Sequence, residues 1–154
     1  MSGAIDLKAG AMLPVREIVV TPERVQWYGD GMHSAATGEL RRAGQNIHTD
    51  AEYAKGQGLT TAIADGMMST AWISSMLLKA FGRDYLERGE LRTKYIKTTD
   101  VGITLKILGR VRERDTQGDG SVRFVLDVWT ENLAGVKLTE GDAVIEVRSL
   151  GNDS

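Results

Sequence analysis

Apolar and polar positions follow one rhythm in the first half of the chain and another in the second. Pro14 to Val20 is short and rich in β-branched residues, which predicts a strand. Thr21, Pro22 and Glu23 supply an N-cap, a proline at the first helical position and an acidic first turn, so a short helix through Val25 to Tyr28 is expected, stopping at Gly29. From Gly29 to Gly44 the chain carries four glycines and no sustained period. Long connections of that kind are often lids or binding loops, so this one is a candidate lid. Thr49 and Glu52 have the spacing of a capping box, predicting a short helix over Asp50 to Lys55 that Gly56-Gln57-Gly58 ends. The dominant helix follows. From Gly66 to Phe81 the residues Met67, Met68, Trp72, Ile73, Met76, Leu77, Leu78 and Phe81 cover most of its circumference, and Gly82 is a natural stop. A helix that apolar must be enclosed.

Beyond it the period falls to two. Leu91 to Thr98 is a plausible strand, Ile103 to Val111 alternates, and so do Val122 to Val128 and Ala143 to Val147. Asp119-Gly120 marks a hairpin, Asn132 to Gly135 a second turn, and Gly141-Asp142 a candidate bulge. Residues 1–13 and 150–154 show no period and are expected as loose ends. A curved antiparallel sheet wrapped around the central helix would satisfy every apolar face, which makes the class α+β in a single domain over residues 1–154.

Composition narrows the functions. The 154 residues are 42% hydrophobic and 26% charged, an ordinary globular mix, and a formal charge of -2 offers no field for a phosphate backbone, so nucleic acid is not an expected partner. There is no cysteine, which excludes disulfides, thiolate metal sites and a cysteine nucleophile. No apolar run approaches the roughly eighteen residues of a membrane span, and the first thirteen residues lack a signal-peptide pattern, so no membrane partner and a cytoplasmic location are expected. Asp115 to Gly120 begins like a calcium loop, but Leu126 stands where a bidentate glutamate is needed. Phosphate-binding, His-Glu-x-x-His and nucleophile-elbow motifs are absent, and the two histidines, His33 and His48, are weak evidence for a metal.

Asn46-Ile47-His48-Thr49-Asp50-Ala51-Glu52-Tyr53-Ala54, the pair Gly58-Leu59, and Ile63-Ala64-Asp65-Gly66-Met67, in that order, resemble the MaoC-like dehydratase and (R)-specific enoyl-CoA hydratase family. The likeness extends over roughly residues 15 to 148. It implies the hot dog fold, a homodimer or higher homo-oligomer, and syn addition or removal of water on a 2-enoyl or 3-hydroxyacyl thioester of coenzyme A or an acyl carrier. Coenzyme A enters as part of the substrate, and no separate cofactor or metal is implied. By position His48 matches the catalytic histidine and Gly66 the backbone oxyanion donor. Elementary chemistry agrees: a helix N-terminus offers unpaired N–H groups and partial positive charge to an enolate oxygen, and a neutral imidazole is a base suited to neutral pH.

The family's aspartate, five positions before the histidine, falls here on Ala43, or on Gly44 if one residue is deleted. Three readings follow. Asp65, where relatives commonly carry histidine, takes over as a second acid-base group; the long loop contributes Asp30, Glu39 or His33; or the site binds an acyl thioester without hydrating it. A thioesterase on the same fold is the alternative enzyme. Plainer roles stand beside these: Asp65 and Asp50 are also well placed as N-caps, His33 as a loop residue, Trp72, Met76 and Phe81 as core with Trp72 bordering an acyl tunnel, and Arg41, Arg42 and Lys55 as ordinary surface cations near coenzyme A phosphates at most.

Overall fold

The computed structural model describes residues 4–148; residues 150–154, expected as a loose end, lie outside the described residues. Five antiparallel strands form one sheet: β1 (Arg16–Val19), β2 (Gly89–Tyr95), β3 (Thr104–Thr116), β4 (Val122–Asn132) and β5 (Lys137–Val147), in the order β1-β3-β4-β5-β2. Among the described residues four α-helices accompany them, α1 (Pro22–Thr37), α2 (Ala51–Gly56), α3 (Gly66–Phe81) and α4 (Arg83–Arg88), with a short 3-10 turn at Ala4–Asp6. The architecture is α+β, the hot dog fold, with α3 as its central helix. Ile73, Met76, Leu77 and Phe81 of α3 meet Ile107, Phe124, Leu126 and Ile145 of the sheet in one buried cluster, with the Phe81 and Phe124 rings 5.6 Å apart. Each such side chain contributes about 1.5–3 kcal/mol when fully buried, so this stripe fixes α3 against the sheet more firmly than its caps, at ~1 kcal/mol each, could do.

Several expectations are corrected. α1 does not stop at Gly29 but runs through Gly29 and Gly31 to Thr37, with Gly38 as its left-handed cap at φ 73°. Two interior glycines cost a helix about 2 kcal/mol relative to alanine, and tertiary contacts offset this. A Cβ at Gly29 would lie 2.9 Å from that of Ala43, so the glycine lets the following loop close against the helix. Asp30 Oδ1 then accepts from Ala43 N and Gln26 Nε2, both at 2.7 Å, and Arg41 N donates to Ser34 Oγ at 3.0 Å. The irregular part of the candidate lid is therefore limited to residues 38–44 and is tied to α1.

The lead-in is not loose over residues 4–13. Gly10 N and Leu13 N donate to Val111 O and Gly109 O, both at 2.8 Å, and Leu13 is 2% exposed. α2 is capped by Asp50, whose Oδ1 accepts from Tyr53 N at 2.9 Å, rather than by Thr49. α4 was not foreseen, and β2 spans Gly89–Tyr95 instead of Leu91 to Thr98. Gly141-Asp142 pairs in unbroken register, whereas the irregularities fall between Val111 and Glu113 and between Thr130 and Glu131. Gly141 serves close approach: a Cβ there would be 2.0 Å from Arg92 O.

Candidate active site

Asn46 to Thr49 form a tight polar turn that aims one ring. Asn46 Oδ1 accepts from His48 N at 2.8 Å and Thr49 N at 3.2 Å, while Thr49 Oγ1 donates to Gly44 O at 2.7 Å. Ile63 N donates to Ile47 O at 3.1 Å, bringing the segment before α3 alongside the turn. His48 Nδ1 lies 2.8 Å from Ile63 O. A carbonyl oxygen only accepts, so Nδ1 carries the proton, and in the neutral ring Nε2 keeps its lone pair.

Asp65 and Gly66 arrive from the other side. Ala64 N donates to Thr99 O at 2.8 Å and Val101 N to Ala62 O at 2.9 Å, holding residues 62–64 beside the 99–101 segment. Asp65 caps α3, its Oδ1 accepting from Met67 N at 2.8 Å, so the N-cap role expected of it is real. Its other oxygen, Oδ2, is 4.0 Å from His48 Nε2, with the two side chains 40% and 30% exposed. That distance is too long for a direct hydrogen bond and suits one water held by both groups. Gly66 begins α3, where the backbone N–H has no partner within the helix.

Two hollows meet at His48. A cavity of about 420 Å³ is lined by His48, Ile63, Ala64, Gly66, Ser69, Tyr95, Thr99 and Thr139, among others. A smaller one of about 140 Å³ is lined by Val25, Tyr28, Met32, His33, Ala43, His48 and Asp65. The expected trio is thus brought together, with Gly66 facing the larger hollow, Asp65 the smaller, and His48 both.

The remaining candidates separate. Ala43 and Gly44 bring no carboxylate, although Ala43 borders the smaller hollow. Asp30 spends its carboxylate on Gln26 and Ala43 N, and those two bonds, the Gln26 one foremost, hold its pKa below the usual carboxylate range. Glu39 pairs with Arg41 at 3.2 Å on the exposed surface, Arg42 is 3.9 Å from Asp30, and Lys55 pairs with Glu52 at 2.7 Å. His33 is exposed at the rim of the smaller hollow. Trp72 packs against the core clusters and borders an outer groove with Trp27 and Met68, not either hollow at His48.

Tyr28 was missed because the sequence places it at the end of a helix that in fact runs on to Thr37. Burial first, then the charges of Asp65 and Tyr95, raise its pKa, so it stays a hydrogen-bond donor beside the site. Tyr95 and Thr139 were missed because only the fold of α3 onto β2 and β5 brings them to Gly66, and Ser69, three residues beyond Gly66 in α3, because its spacing does not show which face it lies on. Among the described residues no three histidine, aspartate or glutamate side chains are grouped to hold a metal, and no helix is long and apolar enough to cross a membrane.

Residues 43–131 match the family model of the MaoC-like domain. Among solved structures, the MaoC-like dehydratase from Rhodospirillum rubrum is similar with a TM-score of 0.71 at 17% identity, covering 94% of this chain and 97% of that one. The R-hydratase PhaJ1 from Pseudomonas aeruginosa has a TM-score of 0.66 at 20% identity, covering 99% and 94%. The ChsH1-ChsH2 complex from Mycobacterium tuberculosis has a TM-score of 0.67 at 16% identity, covering 92% and 98%. At these identities the likeness shows the fold alone. No curated protein matches the chain.

Proposed function

Because the chain belongs to the MaoC-like domain family, we propose that it adds water to a 2-enoyl thioester of coenzyme A, or removes it from the 3-hydroxyacyl thioester. The observation that carries this reading is the placement of His48 Nε2 between the Asp65 carboxylate, 4.0 Å away, and the cavity that Gly66 opens onto. In hydration, a water held by Nε2 and Asp65 gives a proton to Nε2 as its oxygen attacks the β-carbon. Negative charge moves to the thioester oxygen, where the Gly66 N–H and the positive end of α3 stabilise it. A proton returned from His48 to the α-carbon on the same face completes net syn addition. Tyr28, which keeps its proton, lines the smaller hollow beside Asp65 and offers a donor there.

A second reading is favoured by Ala43, which leaves Asp65 as the one carboxylate among the described residues that line either hollow at His48. On that reading the chain holds an acyl thioester without turning it over. Association with a second copy is part of the proposal, supported by Met67, Tyr95 and Ile96, which are 53%, 45% and 38% exposed beside the β2 edge and the site. Incubation of purified protein with crotonyl-CoA and with butyryl-CoA tests the choice. Loss of enoyl absorbance with the first and no thiol release from the second supports hydration. Thiol release from the saturated ester would make it a thioesterase, and binding without change in either would make it a binder.

A further inference from the structure

The inner face of the sheet changes chemistry beneath α3. Toward the C-terminal end of the helix it presents Phe124, Leu126, Ala143 and Ile145, all fully buried and apolar. Toward Gly66 the same face presents hydroxyls. Thr139 is 1% exposed and Ser69, one turn into α3, is likewise 1% exposed; both line the larger cavity, and no hydrogen bond engages either side chain among the described residues. Thr130, the cross-strand partner of Thr139, is 0% exposed and its Oγ1 has no hydrogen-bond partner among the described residues. Buried hydroxyls without partners are costly, and native proteins keep them where something else completes the bond.

We infer that the acyl group of the substrate carries a neutral hydrogen-bonding substituent, a hydroxyl or carbonyl, that Ser69 and Thr139 recognise. This rests on the hydratase reading and specifies its substrate class. Ser69 lies three residues beyond Gly66, about 4.5 Å along the helix axis, which is reached by a polar atom about three or four bonds past the thioester carbonyl carbon. The floor is buried while the thiol arm must lead to solvent, so the hydroxyls face the acyl end. A plain alkyl tail would leave both unpaired, and sites built around a substrate hydroxyl reject the analogue lacking it strongly. Apart from His48, the charged side chain lining this cavity is Lys97, which is exposed, whereas the buried Ser69 and Thr139 present only neutral hydroxyls, so the substituent they bind is neutral.

The test compares 4-hydroxy-2-hexenoyl-CoA with 2-hexenoyl-CoA on wild type, Ser69→Ala and Thr139→Val. The expected result is a kcat/KM preference of at least about tenfold for the hydroxylated ester, falling toward one in either variant. Hydration of both esters without preference would overturn the inference and leave the hydratase reading intact. Equal losses on both esters in the variants would assign the hydroxyls to the thiol arm and overturn it too. Should wild type hydrate neither, the hydratase reading fails, and equilibrium dialysis of 4-hydroxyhexanoyl-CoA against hexanoyl-CoA still decides. Tighter binding of the hydroxylated ester supports the inference, and equal binding overturns it.

Discussion

The ring of Tyr95 occupies the space that a side chain at residue 66 would need: a Cβ built on Gly66 meets Tyr95 Cδ2 and Cε2 at 2.8 Å. Glycine is required here by close approach rather than by backbone conformation. The ring is not free to swing, since Tyr95 Oη and Thr70 Oγ1 are bonded at 2.8 Å. Gly66→Ala is therefore expected to cost about 1–3 kcal/mol, the usual range for overpacking, and to shift the amide aimed at the thioester. Denaturant unfolding measures this, and wild-type stability in the variant would mean that Tyr95 yields without cost.

Asp65 has two jobs that one pair of substitutions separates. Asparagine caps a helix about as well as aspartate, whereas alanine costs about 0.5–2 kcal/mol. Asp65→Asn should keep the melting temperature and lower kcat by roughly 10²-fold, the scale of a lost acid-base group. Asp65→Ala should lower both. Equal kcat in Asp65→Asn and wild type would reduce Asp65 to a cap.

Asn46 reaches the chemistry only through His48. Its side-chain oxygen satisfies the amides of His48 and Thr49, so Asn46→Ala leaves two donors without that partner. A loss of about 1 kcal/mol in stability is expected, together with a lower kcat as the ring loses its aim. Asn46→Asp keeps the acceptor and should restore most of both, which thermal unfolding and initial rates would show.

Asp30 makes the attachment of the 38–46 loop to α1 sensitive to acid. Its folded pKa is lowered, first by the Gln26 side chain and then by Ala43 N–H. A group lowered on folding stabilises fully above its unfolded pKa, about 3.9, and that contribution disappears as pH falls through the lower folded value. The melting-temperature difference between wild type and Asp30→Asn should be widest near neutral pH and close in strongly acid solution. A difference that does not change with pH would contradict this.

The parts of the fold legible in the sequence were those whose own side chains carry the pattern. α3 reads directly because its stripe of Ile73, Met76, Leu77 and Phe81 is what the sheet covers, but the expected full enclosure is not met, since Met67 and Leu78 are 53% and 41% exposed; β3 to β5 read because one face is core. α1 did not read to its end, since Gly29 and Gly31 look like a stop until Ala43 and Asp30 are known to hold them. The same holds for the lead-in, whose order comes from Gly109 O and Val111 O almost a hundred positions away. At the site, His48, Asp65 and Gly66 sit in one local motif and were readable together. Ile63 and Ser69 flank that motif, but only the fold shows that the Ile63 carbonyl sets the His48 tautomer and that the Ser69 side chain faces the cavity, and Tyr28 and Thr139 come from distant segments that no spacing connects to it.

The most direct measurement is the rate of enoyl-absorbance loss for crotonyl-CoA with wild type and with His48→Gln, alongside the affinity of each for the saturated ester. The account predicts a fall in kcat of at least about 10²-fold with affinity retained. A variant that hydrates within a few fold of wild type would contradict it.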